Sequence, residues 1–205
     1  MKVLLINGSP HEKGCTYTAL TECAKALETN GIETQFIHIG TVSVHGCTAC
    51  FQCAETGACT YDDDACNRII DAMKCCDGII VGSPVYFAGP SGALCAVLER
   101  VFCAGLDILT GKPAAAVVSC RRSGSSASFD RLNKFFAYNH MPIITSQNCW
   151  NVVHGNTPEE VLQDREGLQT MRFIGKNMAW AIKTIHASTV PFPEPEEYEE
   201  TNFIR

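Results

Sequence analysis

The sequence predicts a doubly wound α/β fold, in which helices cover both faces of a parallel sheet. Short apolar runs without polar alternation recur along the 205-residue chain, as expected for strands that are buried on both faces. Most runs are followed by a segment with the 3.6-residue apolar period of an amphipathic helix. Five strands alternate with five helices, and this alternation is typical of a parallel sheet with crossover helices.

The strands and helices follow one another from the N-terminus. The predicted strands are Val3–Ile6, Ile32–Ile39, Ile79–Val81, Ala114–Ser119 and Met141–Thr145. The helices are predicted to begin near Cys15, after Asp62–Asp64, at Pro90, after Ser126 and at the capping box Thr157–Glu160. We expect the strand order 2-1-3-4-5 of flavodoxin-like sheets, within one domain of residues 1–186.

Composition excludes several functional classes. The net charge of −6, the pI near 5.5 and the lack of a Lys/Arg cluster argue against nucleic acid as a partner. The N-terminal apolar run is too short for a signal sequence, and no stretch approaches the ~18 apolar residues of a membrane span. We therefore expect a cytoplasmic protein without a membrane partner. Its thirteen cysteines then serve as metal ligands or small core residues rather than as disulfides.

The loop after the first strand has the chemistry of a phosphate site. A strand, a small polar loop and a helix N-terminus bring backbone amides and a favourable dipole together. The loop lacks the signatures of triphosphate and dinucleotide sites, so it suits one phosphate, and FMN is the obvious ligand. An ordinary strand–helix turn is the alternative. The candidate residues are Ser9, His11, Gly14, Cys15 and Thr16.

Two further loops follow strands of the same predicted sheet. The loop after the third strand offers flat apolar area for a flavin ring. The alternative is a β-turn whose two aromatic residues belong to the core. The loop after the fourth strand offers amides for a reduced ring and two arginines for the ring or for a nicotinamide nucleotide. A solvated surface pair is the alternative for these arginines. The candidates are Ser83, Pro84, Val85, Tyr86 and Phe87, then Ser119, Arg121, Arg122, Ser123 and Gly124.

Four cysteines in thirteen residues form a second candidate site. Cys47, Cys50, Cys53 and Cys59 have the spacing Cys-x2-Cys-x2-Cys-x5-Cys, which suits an iron–sulfur cluster. Zinc remains a rival, although structural zinc sites usually place two ligand pairs far apart, and purely structural cysteines remain possible. The remaining nine are expected mostly in the core, including Cys23, Cys75, Cys76, Cys95 and Cys103.

The motifs together resemble a known family. Asn-Gly-Ser-Pro-x3-Gly-x-Thr, the cysteine spacing, Gly-Ser-Pro-Val-Tyr-Phe and the 119–124 loop occur in the order of the flavodoxin-like NAD(P)H-dependent FMN reductases, especially their iron–sulfur flavoprotein branch. The resemblance covers residues 1–186 and implies FMN, a [4Fe-4S] cluster on the four cysteines, and a homodimer or homotetramer with flavins near subunit interfaces. Family members commonly have arginine at the position of His11 and asparagine at that of Cys15, which predicts weaker FMN binding here.

The predicted function is that of an oxidoreductase. NAD(P)H would reduce FMN, and electrons would pass to a cluster, a quinone or another small-molecule or protein acceptor. The chemistry is centred on the flavin, so no protein residue is expected to act as an essential catalyst. The alternatives are a non-enzymatic electron carrier of the flavodoxin type and a metal or redox sensor built on the cysteine loop.

The C-terminal segment, residues 187–205, is predicted to be an extended acidic tail. Its prolines block a helix and its glutamates keep it in water. We expect it to form an interface arm whose anchors are Phe192, Tyr198, Phe203 and Ile204. Packing on its own chain is the alternative.

Overall fold

A six-stranded sheet forms the centre of the computed structural model, which describes residues 1–148, 150–197, 199 and 201. Five strands are parallel, in the order β2-β1-β3-β5-β6, and the two-residue β4 pairs antiparallel with the end of β3. With β4 set aside, this is the predicted order, and the fold class is confirmed. The strands are β1 (Lys2–Asn7), β2 (Glu33–His38), β3 (Gly78–Tyr86), β4 (Gly89–Pro90), β5 (Ala114–Cys120) and β6 (Val152–His154).

Helices cover both faces of the sheet. They are α1 (Cys15–Thr29), α2 (Cys53–Thr56), α3 (Cys66–Lys74), α4 (Gly92–Ala104), α5 (Leu106–Leu109), α6 (Ser125–Tyr138), α7 (Pro158–Val161) and α8 (Arg165–Ala187). The apolar faces of α1 and α8 share one core, and those of α3, α4 and α6 share the other. None of the helices in the described part of the chain is long and apolar enough to cross a membrane.

The two cores explain the uninterrupted apolar runs. Successive side chains of a strand point to opposite faces, so Leu4 and Ile6 enter one core while Val3 and Leu5 enter the other. On the α1 side the packing is close. A Cβ atom at Gly175 of α8 would lie only 2.6 Å from the Cys23 carbonyl oxygen of α1. Glycine therefore lets α8 lie directly against the helix that follows the phosphate loop.

The prediction for the fifth strand was wrong. The Met141–Thr145 segment forms only an isolated bridge, between Ile143 and Ala114, and the fifth parallel strand is β6. Pro142 has no N–H to donate, and the Asn151 side chain donates to the Ala116 carbonyl over 2.9 Å, in place of a backbone donor. The ladder resumes where the Val118 amide donates to the Asn151 carbonyl.

Three other predicted boundaries differ. β3 does not stop at Gly82, because its end forms a hairpin with β4 and pairs Tyr86 with Gly89. Helix α4 therefore begins after Ser91, whose hydroxyl accepts from the Leu94 amide, rather than at Pro90. In the predicted capping box the Thr157 hydroxyl accepts from the Glu160 amide, but the Glu160 carboxylate accepts from Asn156 rather than from Thr157. This cap begins only the one-turn α7, and α8 has its own cap.

Ala187, the first residue of the predicted tail, still belongs to α8, and the described residues beyond it are exposed and have no helix or strand. The Phe192 ring lies against the backbone of its own chain, where a Cβ at Gly111 would be 3.2 Å from the ring. Tyr198, Phe203 and Ile204 lie outside the described residues. The interface arm thus stays a prediction.

Candidate functional site

The three predicted flavin loops meet at the carboxyl edge of the sheet. The Thr16 and Ser119 hydroxyls lie 2.8 Å apart and join the start of α1 to the end of β5. The Gly8 amide donates to the Gly82 carbonyl over 2.8 Å and joins the first loop to β3. The sequence therefore places its candidates in one region, at the edge where parallel sheets bind ligands.

Side chains on neighbouring strands fix the first loop. The Asn7 side chain accepts from the Ser9 amide and donates to the Glu12 carbonyl, at 3.1 and 2.9 Å. The Ser9 hydroxyl accepts from the His11 amide at 3.1 Å. His38 Nε2 on β2 lies 2.7 Å from the Ser9 carbonyl oxygen. Our candidate set omitted Asn7 and His38, although their positions at the ends of adjacent parallel strands were a usable signal.

The N-terminus of α1 lies beside this loop. The first intrahelical bond runs from the Thr18 amide to the Gly14 carbonyl, so helix geometry leaves the amides of residues 15–17 without an intrahelical acceptor. The His11 side chain is exposed, whereas Cys15 is half-buried and its thiol lies 3.8 Å from the Gly155 carbonyl oxygen. Burial raises the pKa of Cys15. The start of α1 thus offers backbone amides as donors.

The second loop forms the tip of the β3–β4 hairpin. Phe87 and Ala88 both have positive φ angles, +49° and +59°, which are unfavourable for residues other than glycine. Phe87 is fully exposed at this tip and Tyr86 is 43% exposed, so both aromatics lie outside the core. The Ser83 hydroxyl, in contrast, is used internally: it accepts from the Ser91 amide over 2.9 Å.

The third loop packs directly on the hairpin. Gly124 has a φ of +84°, and a Cβ there would lie 2.6 Å from Ala88 Cα and 2.9 Å from Val85 Cγ1. Only glycine fits this contact. Arg121, Arg122 and Ser123 are exposed, as is required of groups that meet an incoming ligand. The half-buried Pro84 completes the hairpin side of the site.

A second cavity contains all four cysteines of the Cys-x2-Cys-x2-Cys-x5-Cys loop. It is partly open to solvent, and we refer to it as the cysteine cavity. None of its lining residues belongs to the three flavin loops. Its lining includes Cys47, Cys50, Cys53, Cys59, Arg100 and Cys103.

Cys103, a fifth thiol, belongs to the same cavity. Its sulfur lies 3.8 Å from that of Cys53. Burial, together with the neighbouring Cys53 and Cys47, raises the pKa of Cys103 to about 11. The Gln52 amide and the Thr60 hydroxyl lower the pKa of Cys50. Sequence analysis placed Cys103 in the core; instead it is exposed at the end of α4.

A buried ion pair supports the cavity. The guanidinium of Arg100 is hydrogen-bonded to the carboxylate of Asp64, and both side chains are buried. Arg100 Nη1 also donates to Cys59 Sγ over 3.6 Å. Burial opposes the charge on Arg100, but the hydrogen bonds to Cys59 and Asp64 more than offset it and raise its pKa. Arg100 was not among the predicted site residues, although a charged residue three positions after the buried Val97 on a predicted amphipathic helix was a usable signal.

The donor set of the cysteine cavity consists of thiols. Among the described residues, no three Cys, His, Asp or Glu side chains converge on one metal position. Thiolates are ligands both of tetrahedral zinc and of iron–sulfur clusters, in which each thiolate binds a different iron. The chemistry of the four loop thiols is thus compatible with either group.

A match to a known protein family identifies FMN as the cofactor of this protein. The family model described as NADPH-dependent FMN reductase matches residues 1–155 of the chain. The chain belongs to this FMN reductase family. The predicted family is thereby confirmed, and the protein is an FMN-dependent oxidoreductase.

Similar proteins place this FMN reductase family member in the iron–sulfur flavoprotein branch. An iron-sulfur flavoprotein of Methanocaldococcus jannaschii is 35% identical over 193 residues, which cover 90% of this chain and 99% of the relative. An iron-sulfur flavoprotein of Archaeoglobus fulgidus is 29% identical over 185 residues, 85% of this chain and 93% of that one.

Solved structures share the fold of this FMN reductase family member. RosB with a bound 8-demethyl-8-formylriboflavin-5'-phosphate intermediate has a TM-score of 0.71 at 12% identity, with 99% of this chain and 96% of RosB covered. A flavodoxin from the domain Archaea has a TM-score of 0.60 at 16% identity, with 89% of this chain and 99% of the flavodoxin covered. At these identities the likeness shows the fold alone.

Proposed function

We propose that the protein oxidises NAD(P)H with FMN and passes the electrons singly to a [4Fe-4S] cluster in the cysteine cavity. The observation that carries the proposal is the convergence of the three loops, joined by the Thr16–Ser119 bond at the carboxyl edge of the sheet. When bound, FMN accepts an electron pair and releases electrons one at a time. The cluster then serves as a one-electron relay to the acceptor.

The residues of the first loop would hold the flavin phosphate. The free amides at the start of α1 and the ordered backbone between Ser9 and Gly14 supply donors without reorganisation. His11 lies exposed beside them. Cys15 contributes its amide, since its thiol faces Gly155. The hydroxyls of Ser9 and Thr16 fix the loop and would lie near the phosphate.

The other two loops would hold the ring. Tyr86 and Phe87 present flat apolar surface at the hairpin tip, with Ser83, Pro84 and Val85 as its base. The amides of Ser123 and Gly124 belong to the loop that packs on this tip, and they would stabilise negative charge on the reduced ring. Arg121 and Arg122 are exposed for the phosphates of a nicotinamide nucleotide.

The cluster would be held by Cys47, Cys50, Cys53 and Cys59, which share one cavity. The lowered pKa of Cys50 favours its thiolate form, which is the form that binds iron. The electron acceptor of the cluster would be a quinone, another small molecule or a protein. Because the flavin loops and this cavity share no residue, we further propose a homodimer or homotetramer, in which a second subunit shortens the electron path.

Anaerobic purification followed by two assays tests the proposal. Equimolar FMN, about four irons and four sulfides per chain, and oxidation of NADH or NADPH in the presence of a quinone would support it. If the purified protein contained zinc and no sulfide, the cysteine loop would be a metal-sensing or structural site rather than a cluster site. FMN without NAD(P)H oxidation, but with reduction by another reductase, would establish a flavodoxin-type carrier instead.

A further inference from the structure

The Arg100–Asp64 ion pair lies where it can act on the metal site. The Arg100 side chain on α4 is 2% exposed and that of Asp64 is fully buried. One branch of the guanidinium binds the carboxylate, and the other, Nη1, is directed at Cys59 Sγ over 3.6 Å. The arrangement thus connects a buried pair of opposite charges to one proposed ligand.

The guanidinium is held in this orientation by further contacts. Its Nε lies 3.4 Å from the Ala96 carbonyl oxygen, one turn earlier on the same helix. The Tyr61 ring lies 6.0 Å from its central carbon. The Asp64 carboxylate is fixed in turn, because its Oδ1 accepts from the Cys66 amide over 2.9 Å. The donor to Cys59 therefore needs no rearrangement when the charge on the sulfur changes.

Such a donor has a defined electrostatic effect. Hydrogen bonds to cluster sulfurs and nearby positive charge are among the factors that set the reduction potential of an iron–sulfur cluster. Both favour the reduced state, which carries one more negative charge. Because Arg100 is buried, its field is weakly screened. Asp64 opposes this field, but it lies on the far branch of the guanidinium from Cys59.

We propose that Arg100 is a positioning residue that raises the reduction potential of the cluster through Cys59, and that Asp64 limits this increase. The inference rests on the proposed cluster. The step concerned is the uptake of one electron by the cluster, and Arg100 keeps its proton throughout. The ion pair would thus set how readily the relay accepts electrons from the flavin.

Redox titration of the cluster-loaded, full-length protein tests the inference. Dithionite supplies the electrons, electron paramagnetic resonance reports the reduced cluster, and iron content is measured in parallel. Asp64→Asn keeps the oxygen that accepts from Cys66 but removes the counter-charge, so the potential should rise. Arg100→Gln combined with Asp64→Asn removes both charges without leaving one unpaired, so the potential should fall below the wild-type value. We expect tenfold changes in the reduction equilibrium, about 59 mV for one electron.

Arg131→Gln combined with Glu99→Gln is the matched control. Arg131 lies on α6, is 38% exposed and pairs with Glu99, so a pair of opposite charges is again removed, but without contact to Cys59. Its potential should equal that of the wild type. A shift as large as that of the Arg100/Asp64 double variant would mean that general charge, rather than the Cys59 contact, sets the potential, and would overturn the inference.

Each of the remaining outcomes either supports or refutes the role of Arg100. Unchanged potentials at full iron content would refute the role of Arg100 while the cluster stands. Wild-type protein without cluster iron would overturn both the cluster and the inference. If the Arg100/Asp64 double variant does not fold, Arg100→Lys keeps the charge but loses the planar fork. A lowered potential in Arg100→Lys at full iron content then supports the inference, and an unchanged one refutes it.

Discussion

The sulfurs of Cys53 and Cys103 lie 3.8 Å apart, although one belongs to the cysteine loop and the other to the end of α4. Only one of them fits the Cys-x2-Cys-x2-Cys-x5-Cys spacing. Burial and the neighbouring thiols of Cys53 and Cys47 raise the pKa of Cys103 to about 11. The structure thus places a thiol from outside the cysteine motif beside a proposed cluster ligand.

We predict that Cys103→Ser retains its iron, whereas Cys53→Ser loses most of it. The reason is that only the loop cysteines bind the cluster, and Cys103 merely contacts one of them. Iron and sulfide analysis after anaerobic purification measures the difference. Equal loss of iron in the two variants would show that Cys103 is itself a ligand, and equal retention would remove Cys53 from the ligand set.

Paired substitution in the first loop should weaken FMN binding. Ser9→Ala with Thr16→Val removes the acceptor of the His11 amide and the bond to Ser119. Hydrogen bonds to a charged group contribute ~1.5–3 kcal/mol each, so the dissociation constant should rise at least about tenfold. Fluorescence titration of FMN into the flavin-free protein measures it.

Thr21→Val provides the control for that experiment. Thr21 lies on the same helix, and its hydroxyl bonds the Tyr17 carbonyl one turn earlier, away from the loop. Its FMN affinity should match that of the wild type. Wild-type affinity in the Ser9/Thr16 variant would mean that FMN does not use this loop.

Gly124→Ala should lower both stability and FMN affinity. A left-handed backbone costs ~1–2 kcal/mol for a residue with a Cβ, and here the new atom would also lie 2.6 Å from Ala88 Cα. Gly31→Ala separates the two effects, because Gly31 has a φ of +74° with open space around it. Urea unfolding should show the larger loss for Gly124→Ala, and only that variant should bind FMN less tightly. Equal losses of stability and of FMN affinity in the two variants would mean that the contact of Gly124 with the hairpin contributes to neither.

Acid should weaken the fold partly through Asp77. Although burial raises the pKa of this carboxyl group, the Lys2 amide and the His186 side chain more than compensate, so that its pKa lies below 3.8 in the folded protein. A carboxyl group whose pKa is lowered by folding stabilises the protein above its unfolded pKa. This stabilisation is lost as the pH falls through the folded value.

Asp77→Asn should therefore be less stable than the wild type near pH 6 and should lose less stability between about pH 4 and pH 2. Urea unfolding at several pH values measures this. Asp71→Asn, on the exposed side of α3, is the control and should follow the wild-type curve. If the stability of Asp77→Asn fell as steeply with acid as that of the wild type, Asp77 would not be the cause of the acid sensitivity.

Deleting residues 190–205 tests the predicted interface arm. The shortened protein should dissociate at lower dilution than the full chain while it still binds FMN, because the flavin loops lie elsewhere. Analytical ultracentrifugation across dilution follows the oligomer, and Phe192→Ala removes only the described anchor. An unchanged oligomer would assign the Phe192 contact on Gly111 to packing within one chain.

Local patterns predicted most of the sheet and the flavin loops. Apolar period and turn residues act over a few positions, so β1, β5 and the start of α1 were correctly placed. The fifth strand was not, because Asn151 replaces a backbone donor through a contact 35 residues away in sequence. The hairpin after β3 was hidden for a related reason: Phe87 and Ala88 adopt turn geometry without the glycine that normally marks it.

The chemistry around the cysteine cavity was only half visible in the sequence. Four thiols on one loop have a recognisable spacing, but Arg100 and Cys103 reach the cavity from a distant helix. Their contribution depends on how α4 packs beside α3, which follows from tertiary contacts rather than from local propensity. A long-range ion pair such as Arg100–Asp64 has no short-range signature beyond a charge in an apolar register.

The close packing of α8 on α1 has a consequence for biosynthesis. Gly175 lets α8 cover the helix that follows the phosphate loop, yet a ribosome makes α8 on the order of ten seconds after α1. Until then the face of α1 that packs on α8 has no partner, although the strands already hold the loop that precedes α1. We therefore expect α1 to become fixed in place, and FMN to bind tightly, only after α8 has been translated.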